Sequence, residues 1–263
     1  MSEPVAPIDE TDFVCLATIR KSGTHYTHHF LVNYLLRIQG LDPGETLFSH
    51  DAYRVFPNIR YKYLNKGWDY KAPGPLPSGI RDLVMQHGFG DLEGFPGKVV
   101  ALYRNPLDSV LSLYHYSHGS RKDQKHHVDS LAEVAGTYAS RWAISYIALK
   151  KLIASDTPVL AFRYEDLVAD PVDKFRQMVR FIGAKLDEAL LERTVDDVRG
   201  DRFRQVAADK NLNPGFAVPI ARDGSIGQWR NEMSESDIAL VAAAFEKRRL
   251  NLSEVMSEFP EAG

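Results

Sequence analysis

Arg20-Lys21-Ser22-Gly23-Thr24 gathers two cations, two hydroxyls and a glycine into one short stretch. It follows the apolar run Phe13 to Ile19 (FVCLATI) and precedes residues with helical periodicity. Where a strand turns into a helix, unsatisfied N–H groups and the positive end of the helix dipole point outward together, which suits a phosphate. In such a turn Gly23 lets the main chain come close to the anion, Lys21 adds charge, and Ser22 and Thr24 add hydroxyl donors. The stretch is not GxxxxGK[ST], so the standard nucleoside-triphosphate loop is absent. By itself it reads equally as a tight connection with a glycine and a solvated lysine.

A second segment, Val99 to Tyr116 (VVALYRNPLDSVLSLYHY), places Arg104 at a strand end and Ser112 eight residues later in a helix. Two further stretches are Arg163 to Leu167 (RYEDL) and Arg222 to Trp229 (RDGSIGQW). Taken in order, RKSGTHY, RNPLDSVLSLY, RYEDL and RDGSIGQW resemble the sulfotransferase family that uses 3′-phosphoadenosine 5′-phosphosulfate (PAPS). Its members carry a PKSGTTW-like loop, an RNPxDxxxSxY-like segment, a YEDL-like strand end and an RxGxxGxW-like loop. The four matches run from residue 20 to residue 230, most of the chain.

The resemblance implies roles residue by residue. Lys21, Ser22, Gly23 and Thr24 would hold the 5′-phosphosulfate, and Arg104 and Ser112 the 3′-phosphate, with Arg222 and Gly224 closing over it. A planar guanidinium binds phosphate as a two-pronged fork, so lysine would replace Arg104 poorly. His25 and Tyr26 continue the loop. Tyr26 takes the place of the family's tryptophan and would stack on adenine, Tyr164 would bond the adenine edge, and Phe203 would form the other wall. Arg20 stands where the family has proline, His25 where it has a threonine-type residue, and Asp223 where a second cation often follows the arginine. The tail by which some cytosolic members dimerise is not matched by Arg230 to Glu235, so the sequence assigns no oligomeric state.

Sulfuryl transfer resembles phosphoryl transfer, in which positioning and electrostatics dominate. The family's base is a histidine just after a strand. His50, in LFSHD, is the first candidate here, and His87, in MQHGFGD, is the alternative. An imidazole with a pKa near 6.5 suits general-base work at neutral pH. Lys21 would stabilise the leaving oxygen. The implied reaction is transfer of a sulfuryl group from PAPS to a hydroxyl of a small-molecule or glycan acceptor, with no metal. Two other readings stand beside it: a P-loop kinase-like phosphotransferase, against which the missing GK[ST] counts, and a catalytically degenerate nucleotide-binding protein, suggested by Arg20 and Asp223.

Other chemistry-bearing residues read as structural. His25, His28 and His29 lie at near-helical spacing, but without an HExxH pattern or a neighbouring thiolate they read as helix-surface histidines rather than zinc ligands. His115, His118, His126 and His127 flank the basic stretch Arg121 to Lys125, which reads as a solvated loop. Glu165 and Asp166 alternate along the expected strand end, with Glu165 a structural partner for a nearby arginine. Cys15, the single cysteine, precludes an intramolecular disulfide and reads as an inert core residue.

These residues need a frame that brings four distant segments together. Phe13 to Ile19 is short, apolar and partly β-branched, as a strand buried on both faces should be. Tyr26, Phe30, Leu31, Tyr34, Leu35 and Ile38 then form one helical face, ended by Gly40. Strands are expected over Thr46 to Ser49, Lys98 to Tyr103 and Val159 to Phe162. Helices are expected over Asp108 to His115, Leu131 to Ile153, Pro171 to Ile182 and from Ser234 to Arg248. Strands separated by helices predict an α/β fold: a single domain with a mainly parallel central sheet flanked by helices, like the P-loop nucleotide-binding folds. Arg60 to Gly97 and Asn211 to Gly227 read as long loops that form substrate walls.

A length of 263 residues suits one large domain, here residues 13–263 behind a loose tail over 1–12. At 44% hydrophobic and 25% charged, the composition excludes disordered and fibrous classes. A net charge of −3 argues against a globally basic nucleic-acid binder while allowing a local cationic pocket. No run of about 18 apolar residues is present, and the acidic N-terminus lacks a basic region followed by an apolar core. The expectation is a cytoplasmic enzyme without a membrane span.

Overall fold

The computed structural model describes residues 13–40, 59–61, 82–119, 127–199 and 224–259, with 59–61 and 82 described by backbone alone. Among the described residues, five strands, β1 (Phe13–Thr18), β2 (Ile59–Tyr61), β3 (Asp82–His87), β4 (Lys98–Tyr103) and β5 (Val159–Arg163), form one sheet in the order β2-β3-β1-β4-β5. Every pairing in it is parallel. The expected α/β architecture is therefore present.

The sheet is covered on both faces, and the strands alternate accordingly. Val14 and Leu16 of β1, with Val100 and Leu102 of β4, face α1 (Thr24–Arg37) and a pair of later helices. Cys15 and Ala17, with Val99 and Ala101, face the opposite layer. Cys15 is buried there, as expected. A strand with apolar side chains on both sides can be covered only by a helix on each face, and this is why central β1 and β4 read as continuous apolar runs.

The first layer packs α1 against α5 (Pro171–Ile182) and α6 (Glu188–Asp197). The second consists of α2 (Pro106–His118), the long α3 (Leu131–Ile153), α8 (Glu235–Glu246) and α9 (Leu252–Met256). Short α4 (Tyr164–Ala169) and α7 (Trp229–Glu232) adjoin the sheet end and α2. Caps set the helix starts. Asn105 accepts the N–H groups of Leu107 and Asp108 at 2.9 and 3.3 Å, with Pro106 at the first helical position. Glu133 accepts from the N–H and hydroxyl of Ser130 at 3.0 and 2.9 Å. Ser234 and Asp237 form the expected capping box.

Three expectations are corrected. Arg60 to Gly97 is not all loop, because β3 lies inside it and pairs with β1 over its whole length. Its sequence, DLVMQH, has polar ends and little β-branching, so neither period nor propensity marks it; its central position buries it. RYEDL is not a strand end throughout: β5 stops at Arg163 and α4 begins at Tyr164. Glu165 and Asp166 thus occupy a helical first turn; Asp166 pairs with Arg163 at 2.6 Å, and the Arg104 charge acts on Glu165. His28 and His29 are fully buried, not on a helix surface, because α1 is enclosed by other helices as well as by the sheet. The expected tail over 1–12 and strand over Thr46 to Ser49 lie outside the described residues.

Candidate functional site

Parallel strands aim their C-terminal ends at one edge of the sheet, where α/β proteins commonly bind ligands. Thr18 ends β1, His87 ends β3, Arg104 follows β4 and Tyr164 follows β5. The four segments singled out in the sequence meet along this edge.

The loop from Arg20 to Thr24 turns β1 into α1. Lys21 and Gly23 both take left-handed backbone, with φ of 68° and 83°. Alternation of this kind curls successive N–H groups into a concave anion-binding surface. Gly23 is required twice over: a β-carbon there would lie 2.7 Å from Tyr164 Cδ2. From behind, the hydroxyl of buried Tyr138 on α3 donates to the Arg20 carbonyl at 2.5 Å. Lys21 Nζ lies 4.5 Å from the centre of the Tyr116 ring, a cation–π approach. Ser22 is fully buried, and its Oγ meets no hydrogen-bond partner among the described residues.

Beside this loop, Thr18 links its two neighbours. Its Oγ1 is 2.7 Å from Thr24 Oγ1 and 3.0 Å from His87 Nδ1. Register brings His87 there, since Thr18 and His87 are paired residues of adjacent strands. Burial, the strongest influence, pushes the His87 pKa down to about 3, helped by the charges of Arg20, His25 and Lys21 and opposed by the Thr18 hydrogen bond. The imidazole is therefore neutral at pH 7.

Arg104 is 7% exposed. Its Nη2 donates to Ser225 O at 2.7 Å and its Nη1 to Lys21 O at 3.4 Å, while the guanidinium lies 4.6 Å from the centre of the Tyr164 ring. It thus bridges the phosphate-type loop and the Gly224 segment, and its Nε has no partner among the described residues. Tyr164 donates through its hydroxyl to Gly224 O at 3.1 Å, and a β-carbon on Gly224 would meet that hydroxyl at 2.9 Å. Glu165 accepts the Asn105 N–H at 3.0 Å; burial raises its pKa, partly offset by that hydrogen bond and by Arg104.

Lys21, Ser22, Gly23, Thr24, Arg104, Tyr164 and Gly224 therefore form one connected group. Ser112 is half-buried on α2, the helix that follows Arg104. His25 and Tyr26 are half-buried in the first turn of α1, with the Tyr26 ring edge-on to Phe175 at 5.3 Å. Burial holds the Tyr26 phenol well above its ordinary pKa. His50, Phe203 and Arg222 lie outside the described residues. Thr18, Tyr138 and Asp108 were not singled out as site residues. Asp108 was visible only as a letter of the RNPLD segment, and Tyr138 only as an apolar position of a long helix.

The site fits a doubly phosphorylated nucleotide. At one end stand a glycine-floored loop and the buried Ser22 hydroxyl, at the other the nearly buried Arg104, and neither Ser22 Oγ nor Arg104 Nε has a partner among the described residues. Among the described residues, no cluster of three or more His, Cys, Asp or Glu could hold a metal. No helix among them is long and apolar enough to cross a membrane.

Comparison with known proteins agrees with this geometry. The sulfotransferase domain model matches residues 11–260. Mouse sulfotransferase 4A1 is 28% identical over 236 residues, covering 87% of this chain and 75% of the mouse protein. Cytosolic sulfotransferase 15 of Arabidopsis thaliana is 24% identical over 261 residues, covering 88% of this chain and 70% of the plant protein. In fold, the chain matches a mouse sulfotransferase crystallised with PAP at a TM-score of 0.62 and 15% identity, covering 96% of this chain and 92% of the other. Retinol dehydratase in complex with retinol and PAP matches at 0.61 and 17% identity, covering 92% and 82%.

Proposed function

Because the chain belongs to the sulfotransferase domain family, we propose that it transfers a sulfuryl group from PAPS to a hydroxyl of a small-molecule or glycan acceptor, releasing adenosine 3′,5′-bisphosphate. The observation that carries this is the meeting of the Lys21–Thr24 loop, His87 and Arg104 at one edge of the sheet. Lys21, Ser22, Gly23 and Thr24 hold the 5′ end of the nucleotide. Arg104, with Ser112, Gly224 and Arg222, holds the 3′-phosphate, and Tyr26, Tyr164 and Phe203 hold the adenine.

We assign the base to His87, which stands beside the loop through its contact with Thr18, His50 lying outside the described residues. In the tautomer whose Nδ1–H donates to Thr18 Oγ1, the basic lone pair is on Nε2. The acceptor hydroxyl gives its proton to Nε2 as its oxygen forms the new bond to sulfur. The bond from sulfur to the bridging phosphate oxygen breaks, and Lys21 neutralises the charge left on that oxygen. Burial, together with the charges of Arg20, His25 and Lys21, holds the imidazole at a pKa of about 3. Negative charge on the nucleotide opposes those cations and raises the pKa toward the range useful for a base. A cytoplasmic location goes with this reading, supported by the likeness to a relative named as cytosolic.

The test is transfer of labelled sulfate from PAPS to a panel of phenols, alcohols and sugars. His87→Ala is expected to lower kcat by about 10²- to 10⁴-fold with nucleotide binding retained, while His50→Ala leaves kcat near wild type. The opposite pattern would move the base to His50. Loss of one anion-stabilising donor in Lys21→Ala is expected to cost about 10²- to 10³-fold.

A further inference from the structure

Asp108 is 2% exposed, and its carboxylate is directed at the backbone of the loop before α7 rather than at solvent. Oδ2 accepts the Gly227 N–H at 2.7 Å and Oδ1 the Trp229 N–H at 3.3 Å. The same loop is held from its other side by Tyr164, which donates to Gly224 O, and by Arg104, which donates to Ser225 O. The loop is thus clasped at both ends. Its carbonyls meet donors from the strand ends, and its N–H groups meet one buried carboxylate on α2.

We propose that Asp108 is a positioning residue that sets the preference of the site for a 3′-phosphorylated nucleotide. This rests on the nucleotide reading above. Arg104 belongs to the half of the clasp that donates to the loop carbonyls, and its Nη2 reaches the loop directly. Asp108 fixes where that loop lies relative to the guanidinium, and so builds the side of the phosphate grip that Arg104 does not supply alone. The residue type matters. A carboxylate has two acceptor oxygens and no donor, which matches two converging N–H groups. An amide of the same shape would satisfy one and turn its own NH₂ toward the other.

Asp108 also lies in the first turn of α2, where a negative charge favours the helix. A purely structural role would therefore weaken every ligand alike, whereas a role at the 3′ end would not. The experiment is calorimetric titration of wild type and Asp108→Asn with adenosine 3′,5′-bisphosphate and with adenosine 5′-monophosphate, circular dichroism confirming the fold. Affinity for the bisphosphate is expected to fall by about 10- to 100-fold, as for a lost buried bond to a charged group. Affinity for the monophosphate is expected to stay within about twofold. An equal loss for both nucleotides, or no loss for either, would overturn the assignment. Should Asp108→Asn not fold, Asp108→Ser provides the same comparison, because its hydroxyl suits a helix first turn but is too short to span both N–H groups. Wild-type protein showing no preference for the bisphosphate would instead overturn the nucleotide reading, and this assignment with it.

Discussion

Gly23 has no room for a side chain and no backbone conformation that readily accepts one. Gly23→Ala is expected to lose about 1–3 kcal/mol in urea unfolding through backbone strain alone, and to lose nucleotide binding because Tyr164 must move. His87 makes a pH prediction. Its folded pKa, about 3, lies below its ordinary 6.5, so as pH falls below 6.5 the unfolded chain takes up a proton that the folded chain refuses. This group therefore leaves stability unchanged above pH 6.5 and lowers it progressively between 6.5 and 3. Replacing it by glutamine should make the acid-side decline shallower by up to about 1.4 kcal/mol per pH unit, read from denaturation curves at pH 7, 6 and 5. At this scale the glycine, lysine, arginine and tyrosine that meet at the sheet edge were legible as candidates, because each belongs to a compact segment of fixed order. The placing of His87 was not. Its strand register with Thr18 is long-range information that local spacing does not contain.

At the scale of elements, α3 supports the site from behind. Trp142 is fully buried at its centre and stacks on Tyr146 and Phe245 at 5.1 and 5.4 Å. One turn earlier, Tyr138 holds the Arg20 carbonyl. Trp142→Ala is expected to cost about 3–5 kcal/mol in equilibrium unfolding. Tyr138→Phe should cost only about 1–3 kcal/mol but should also weaken nucleotide binding, because the carbonyl it anchors begins the phosphate loop. Elements with one dominant signal were readable: β4 and α5 follow the expected limits, as does α3. Lys98 to Tyr103 is a continuous apolar run, and Asp170-Pro171 supplies both a cap and a first-turn proline. β3 was missed because tertiary burial, not its own composition, makes DLVMQH a central strand. α4 was missed because RYEDL joins a strand residue to a helical turn without a Gly or Pro between them.

Among the described residues, the sheet is covered on both faces and the candidate site residues gather at one edge. Parallel strands leave that edge to loops, so residues far apart in sequence share one short stretch of surface. A ligand that bridges them should stabilise the entire fold. Adenosine 3′,5′-bisphosphate at 100 times its dissociation constant is expected to add about 2.7 kcal/mol, seen as a thermal shift larger than that given by ATP with magnesium. A larger shift with ATP and magnesium would favour a kinase-like reading. The most direct measurement is a crystal structure of the protein with adenosine 3′,5′-bisphosphate. It should place the 5′-phosphate on the N–H groups and hydroxyls of Lys21 to Thr24, and the 3′-phosphate on Arg104 and Ser112, with His87 facing the acceptor side. A nucleotide bound away from the Lys21–Thr24 loop, or with its 3′-phosphate out of reach of Arg104, would contradict the account.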